Sequence, residues 1–222
     1  MRGKLLDSRQ ICAITDGRAG NARQAEALAG ALANTEDALR PSAIALRPRA
    51  PWRWWAPRRL PGDAAAFGTS FATLLDRPPA IAVGCGRQAA LATRLLRARG
   101  AKTVQILDPR LDPSHWDLLI VPEHDGVRGA NVLTTVGSLH PVDDAWLIAA
   151  RMRFPQFADL PRPRIAMLLG GRSAHARFDR MGFEVMAAKL EAVLAREGGS
   201  VLVTISRRSD ALMRKALAHR YD

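Results

Sequence analysis

The chain has 222 residues, 48% of them hydrophobic and 24% charged, which is enough for one sizeable domain or two small ones and argues against wholesale disorder. Its formal net charge of +12, from 33 Lys and Arg against 21 Asp and Glu, favours an anionic partner: nucleic acid, an anionic membrane surface or a phosphorylated small molecule. No apolar run approaches the ~18 residues of a transmembrane helix, the opening MRGKLLDSRQ has no long apolar region and no small-residue cleavage site, so no signal peptide is expected, and Cys12 and Cys85, with no C-x-x-C spacing, read as buried free thiols rather than a zinc or redox site.

In chain order, QICAIT (10–15) reads as a buried strand and 22–33 as a helix. SAIAL (42–46) and AIAVG (80–84) are the next strands, and a helix follows from Arg87 to about Arg99, stopped by Gly100. TVQIL (103–107), DLLIV (117–121) and NVLTT (131–135) are further strands. Their continuous Ile, Val and Leu, rather than strict alternation, suits a parallel sheet covered on both faces, and the β-α alternation predicts a doubly wound α/β domain. A helix over 143–153 leads into the proline-rich FPQFADLPRPR, the best linker in the chain. The pattern then restarts with a strand at 164–169, a helix over 179–196 before Gly198-Gly199, a strand at 200–206 and a helix over 209–220. The expected division is residues 1–155, a linker at 156–163 and a partial second α/β unit at 164–222.

Ligands of open parallel sheets bind beyond the carboxyl ends of the strands, and the polar residues gather there. After the first strand come Asp16, Gly17, Arg18, Gly20, Asn21 and Gln24; Gly84, Gly86, Arg87 and Gln88 follow AIAV; Asp108 and Arg110 follow TVQIL. Glu123, His124 and Asp125 close DLLIV, Gly170, Gly171, Arg172 and Ser173 close AMLL, and Ser206, Arg207 and Arg208 close VLVTI. Glycine lets a backbone approach a ligand, a helix N-terminus offers free N–H groups, and arginine offers a fork for phosphate oxygens. A diphosphate fits this chemistry. The 17–20 loop is neither G-x-G-x-x-G nor a P-loop. Asp16 is a candidate general base and equally a helix N-cap. His124, between two carboxylates, is a candidate base or a surface histidine. His115, His140, His175 and His219 show no ligand spacing among themselves, so no metal site is expected, and no cofactor is expected.

The stretch LRPRAPWRWWAPRRL (46–60) interleaves five arginines with Trp52, Trp54 and Trp55. It reads as a proline-rich crossover whose tryptophans pack on the domain, as an anionic membrane contact, or as a stacking surface for single-stranded nucleic acid.

Taken together, TDGRAGNARQAEALAGAL, AVGCGRQAA, QILDPR, DLLIVPEHD, GANVLTTVGSLH, PRPRIAMLLGG and TISRRS resemble the successive blocks of the mitochondrial-fission "elongated mitochondria" family, which includes a plant fission factor and many bacterial proteins. The resemblance implies a glycosyltransferase-like fold of two facing Rossmann-like domains (GT-B), with the acceptor held mainly by the first and a nucleotide-sugar mainly by the second. It would set the DGRAGN and GGRS loops on opposite sides of a phosphorylated ligand. Family members continue beyond the SRR block, so the second domain is expected to be incomplete and turnover by this chain impaired. The alternative, favoured by the missing C-terminal segment, is a non-catalytic interaction or recruitment protein, with a membrane surface as one place for it; the plant member is implicated in recruiting a dynamin-related GTPase, a role not carried onto this chain. Nucleic acid is the least supported partner, with no recognised motif. The expected location is the cytoplasm, with peripheral contact at the inner membrane face left open.

Overall fold

The computed structural model describes residues 7–35, 39–170, 178–206, 209, 211–217 and 220. The chain divides into two compact units, Met1–Asp143 and Asp144–Asp222.

The first unit is a six-stranded parallel sheet in the order β2-β1-β3-β4-β5-β6. Its strands are β1 (Asp7–Thr15), β2 (Arg40–Ala45), β3 (Pro79–Cys85), β4 (Lys102–Ile106), β5 (Leu118–Pro122) and β6 (Val132–Thr135). The apolar runs of the sequence thus form strands, and the expected Rossmann-like α/β arrangement is what they build. Helix α1 (Ala19–Thr35) covers one face, where Ala25 and Ala29 meet Ile11, Ala13, Val83 and Ile106. The other face carries α3 (Thr69–Asp76) and α4 (Arg87–Arg97), whose Phe71, Leu75, Leu91 and Leu95 pack on Cys12, Ile14 and Ala82. Both faces of the central strands are therefore buried, which is why those strands lack alternation. A four-residue helix, α2 (Trp52–Trp55), lies in the crossover from β2 to β3.

Because every strand pairing is parallel, all six carboxyl ends share one edge. The chain leaves β1 for β2 over one face and reaches β3 on β1's other side, so the strand order reverses at β1 and β3. That is the topological switch point, where adjacent loops diverge and leave a crevice.

The second unit holds α5 (Asp144–Arg153), a parallel pair β7 (Arg164–Leu169) and β8 (Ser200–Ile205), α6 (Arg180–Glu197) and α7 (Ala211–Leu217). Met167 and Leu169 pack with Phe183, Ala187 and Leu217 in a small core. Helix α6 starts at Asp179, whose carboxylate accepts from Gly182 N at 2.9 Å, and stops at Gly198.

Candidate functional site

Three adjacent strand ends build a cleft at the switch point. Register sets Thr15 beside Ala45 and Ile14 beside Gly84, so the segments leaving β1, β2 and β3 begin side by side. They enclose about 380 Å³ lined by Asp16 and Arg18 after β1, Arg47, Pro48 and Arg53 after β2, and Gln88 after β3. The path after β2 is fixed by Leu46 and Pro48, which are buried, while Arg47 and Arg49 between and after them point outward. Leu46 N donates to Thr15 O at 2.7 Å, tying that path to the end of β1.

Asp16 organises the β1 loop. Its Oδ1 accepts from Arg18 N at 3.1 Å and from Asn21 Nδ2 at 3.0 Å, and its Oδ2 lies 3.4 Å from Arg18 Nε. Helix α1 begins at Ala19, so the Arg18 N–H is not one of its first-turn donors, and Asp16 closes an Asx-type turn ahead of the helix rather than capping it. Gln24 is buried and donates to Gly20 O at 3.4 Å. The β3 loop locks onto the β1 loop: Gly86 has φ +90°, and a Cβ there would lie 2.5 Å from Asn21 Nδ2. Gly84 sits over a buried network. Trp116 Nε1 donates to Thr93 Oγ1 at 2.8 Å, and Gln105 Nε2 donates to Ile106 O at 2.9 Å and to Gly86 O at 3.4 Å. This network supports the turn that opens α4. Cys85, beneath it, is fully buried, and burial, reinforced by the Asp16 charge, pushes its thiol up to about 12.

The other residues singled out in the sequence fall in several places. Arg87 does not face the cleft: its guanidinium donates to Ala56 O, Trp54 O and Arg53 O, holding the last carbonyls of α2. Asp108 Oδ1 accepts from Arg110 N at 2.7 Å in the turn after β4, where Leu107 and Arg110 both have positive φ. Glu123, His124 and Asp125 form one exposed 3-10 turn after β5, with His124 Nε2 3.6 Å from Asp125 Oδ1. Three strand spacings separate the ends of β1 and β5, about 14 Å at the usual inter-strand distance. Asp16 and His124 therefore share an edge but form no catalytic pair. In the second unit, Gly170 and Ser206 leave paired strands side by side, and Ser209 Oγ donates to Gly170 O at 3.2 Å. Gly171, Arg172, Ser173, Arg207 and Arg208 lie outside the described residues. Of the tryptophans, Trp52 packs against the core, and Trp54 and Trp55 are exposed.

Arg47 and Arg53 are cleft residues that the sequence grouped with the tryptophan segment instead. Neither has an acidic partner among the described residues. A second basic group, Arg59, Arg94, Arg97 and His115, lines a hollow of about 320 Å³ near the amino ends of β4 and β5. Burial first, and then the Arg94 charge, holds His115 below the usual histidine range. The guanidiniums there are committed: Arg59 to Asp63 at 2.7 Å, Arg94 to Pro57 O at 2.8 Å, Arg97 to Ser114 O and Asp117. The switch-point cleft differs in having unneutralised cations. Chemically it can hold an anion; among the described residues it assembles no nucleophile with a base. Among the described residues no group of three or more His, Cys, Asp or Glu side chains could hold a metal ion, and no helix is long and apolar enough to cross a membrane.

Comparison with known proteins matches the sequence, over residues 19–222, to the family model described as Mitochondrial fission ELM1. The chain is similar to Mitochondrial fission protein ELM1 of Arabidopsis thaliana, with 27% identity over 166 residues covering 63% of this chain and 39% of the relative. It thus spans about two fifths of the curated relative it matches. No solved structure matches it significantly. With nearly its whole length matched in order, the chain belongs to the mitochondrial fission ELM1 family.

Proposed function

We propose that the switch-point cleft binds, in the cytoplasm, the phosphate groups of a small molecule such as a nucleotide-sugar, held in the first unit and not mainly in the second as the GT-B resemblance implies. The observation that carries this is the convergence of Arg18, Arg47 and Arg53, from two separate segments, on one cleft with a single carboxylate. Arginine forks recognise phosphate oxygens bidentately. Gln88, in the first turn of α4, also lines the cleft, and a helix N-terminus favours negative charge. In a transfer reaction these arginines would stabilise charge on a diphosphate.

One feature favours a second reading, a non-catalytic binding or recruitment protein. Asp16 already spends its oxygens on Arg18 and Asn21, and His124 sits at another strand end. On this reading the cleft holds a ligand or partner and carries out no chemistry.

Calorimetric titration with uridine, guanosine and thymidine diphosphates and their sugar conjugates tests the proposal. Saturable binding should weaken at least about tenfold in Arg47→Gln, the loss expected for one charge-assisted pair. Absence of binding by every one of these ligands, or equal affinity in the variant, would overturn it. Sugar release or transfer with any conjugate would exclude the non-catalytic reading.

A further inference from the structure

Helix α2 is built to keep two indoles in water. Its first tryptophan, Trp52, turns inward against the core, but Trp54 is 63% and Trp55 54% exposed. A tryptophan carries one of the largest apolar surfaces of any side chain, and it rarely stands exposed beside another without a partner. Here the exposure is held in place. Arg87 of α4 donates to the carbonyls of Arg53, Trp54 and Ala56, Arg94 donates to Pro57 O at 2.8 Å, and Ala56 and Pro57 are buried as the footing. Two helix arginines and a buried alanine-proline pair thus anchor a single turn whose outer face is indole.

The charge around that face has one sign. Leu46 to Leu60 contains Arg47, Arg49, Arg53, Arg58 and Arg59 and no acidic residue. Arg59 is neutralised by Asp63. Arg47, Arg49, Arg53 and Arg58 are exposed, and the Arg53 guanidinium stacks 5.7 Å from the Trp54 ring centre. An exposed indole pair on a segment with four exposed arginines, none of them with an acidic partner among the described residues, matches an anionic phospholipid surface: the rings would lie at headgroup depth, and the guanidiniums would meet lipid phosphates. A single helical turn also offers too little area for a stable protein interface of the usual size. Arg53 belongs to both places, since it lines the cleft and stacks on Trp54.

From these observations we infer that α2 docks this face of the protein on an anionic phospholipid bilayer, through Trp54 and Trp55 and the surrounding arginines. This docking goes beyond the anion-binding reading of the cleft. The docking itself does not depend on that reading.

The test is co-sedimentation of the full chain with phosphatidylcholine vesicles, with and without phosphatidylglycerol. Binding is expected only with phosphatidylglycerol, and high salt should reverse it. Trp54→Ala/Trp55→Ala should weaken partitioning by about tenfold or more, as expected when two interfacial anchors are removed. Arg58→Glu, a substitution at an exposed residue outside the cleft lining, should also weaken it. Circular dichroism checks that both variants remain folded. Three results would overturn the inference: no binding of the unaltered chain to phosphatidylglycerol vesicles, equal binding by the tryptophan variant, or binding to polyglutamate or a single-stranded oligonucleotide as strong as to vesicles. Uridine diphosphate titration and vesicle binding of Trp55→Ala, which leaves the Arg53–Trp54 stack in place, separate the two proposals. Unchanged nucleotide affinity with lost vesicle binding supports docking. Lost vesicle and nucleotide binding together would mean that α2 shapes the cleft rather than anchoring the chain, and would overturn it.

Discussion

Replacing Gly84 by alanine tests whether the buried network under the cleft holds it in shape. An ideal Cβ at this position would lie 2.6 Å from Gln105 Oε1, 2.7 Å from Thr93 Cγ2 and 3.4 Å from Ala89 O. Thr93 and Gln105 are both fully buried, so neither can swing into solvent to make room. Forcing one methyl into a packed core costs about 1–3 kcal/mol. Displacing Gln105 also threatens its bonds to Ile106 O, Gly86 O and Thr93 Oγ1, at about 1 kcal/mol for each one lost. A total of about 2–6 kcal/mol follows when between one and three of them are lost. Urea unfolding followed by circular dichroism reads the loss. The same substitution in a Gln105→Ala background should cost less, because Oε1 is gone, but not nothing, because Thr93 Cγ2 remains; neighbouring sites couple in this way. A loss below about 0.5 kcal/mol in the unaltered background, or identical losses in both, would refute the reasoning.

Two further outcomes follow from the same region. Arg87→Met keeps much of the side chain's bulk but removes its donors from three carbonyls; it should destabilise by about 1.5–3 kcal/mol and speed tryptic cleavage at Arg53 and Arg58, and unchanged cleavage would mean that α2 is held by packing alone. Cys85 carries a thiol raised from 9.0 to about 12 by burial. A group whose pKa is raised on folding contributes stability that is intact below its unfolded value and lost as pH rises through the folded one. Stability should therefore fall between about pH 9 and 12, and Cys85→Ala should flatten that decline; an unaltered pH slope in Cys85→Ala would refute the assignment.

Much of the fold was legible because it rests on burial. Continuous runs such as AIAVG and DLLIV became strands of the first unit, and the polar residues after that unit's strands reached one edge of its sheet because its pairings are all parallel. The helix Thr69–Asp76 escaped notice although its Phe71 and Leu75 are spaced i, i+4 and buried, the helical signal; it is short and flanked by glycine and proline. The site was less legible. Arginine forks suit phosphate and peptide carbonyls equally, so the sequence could not tell that Arg87 closes a helix end while Arg47 and Arg53 remain unneutralised. Their place in the cleft is set by Leu46, Pro48 and Ala56, which bury themselves and carry the segment past the end of β1. That is a tertiary fact with no local motif.

The charge of the cleft narrows what it can hold. Arg18, Arg47 and Arg53 against Asp16 leave a local surplus of two positive charges. A neutral sugar would leave that surplus uncompensated, and a lone carboxylate would offset half of it. A diphosphate, or a phosphate presented among other anions, matches it more closely. The basic hollow near the amino ends of β4 and β5 shows what the protein does with arginines it uses structurally: it gives them acids and carbonyls of its own. Placing cations at a switch point without such partners costs repulsion in the empty state, and an anionic ligand removes that cost. The same argument covers the arginines around Trp54 and Trp55, where the compensating charge would come from a lipid surface.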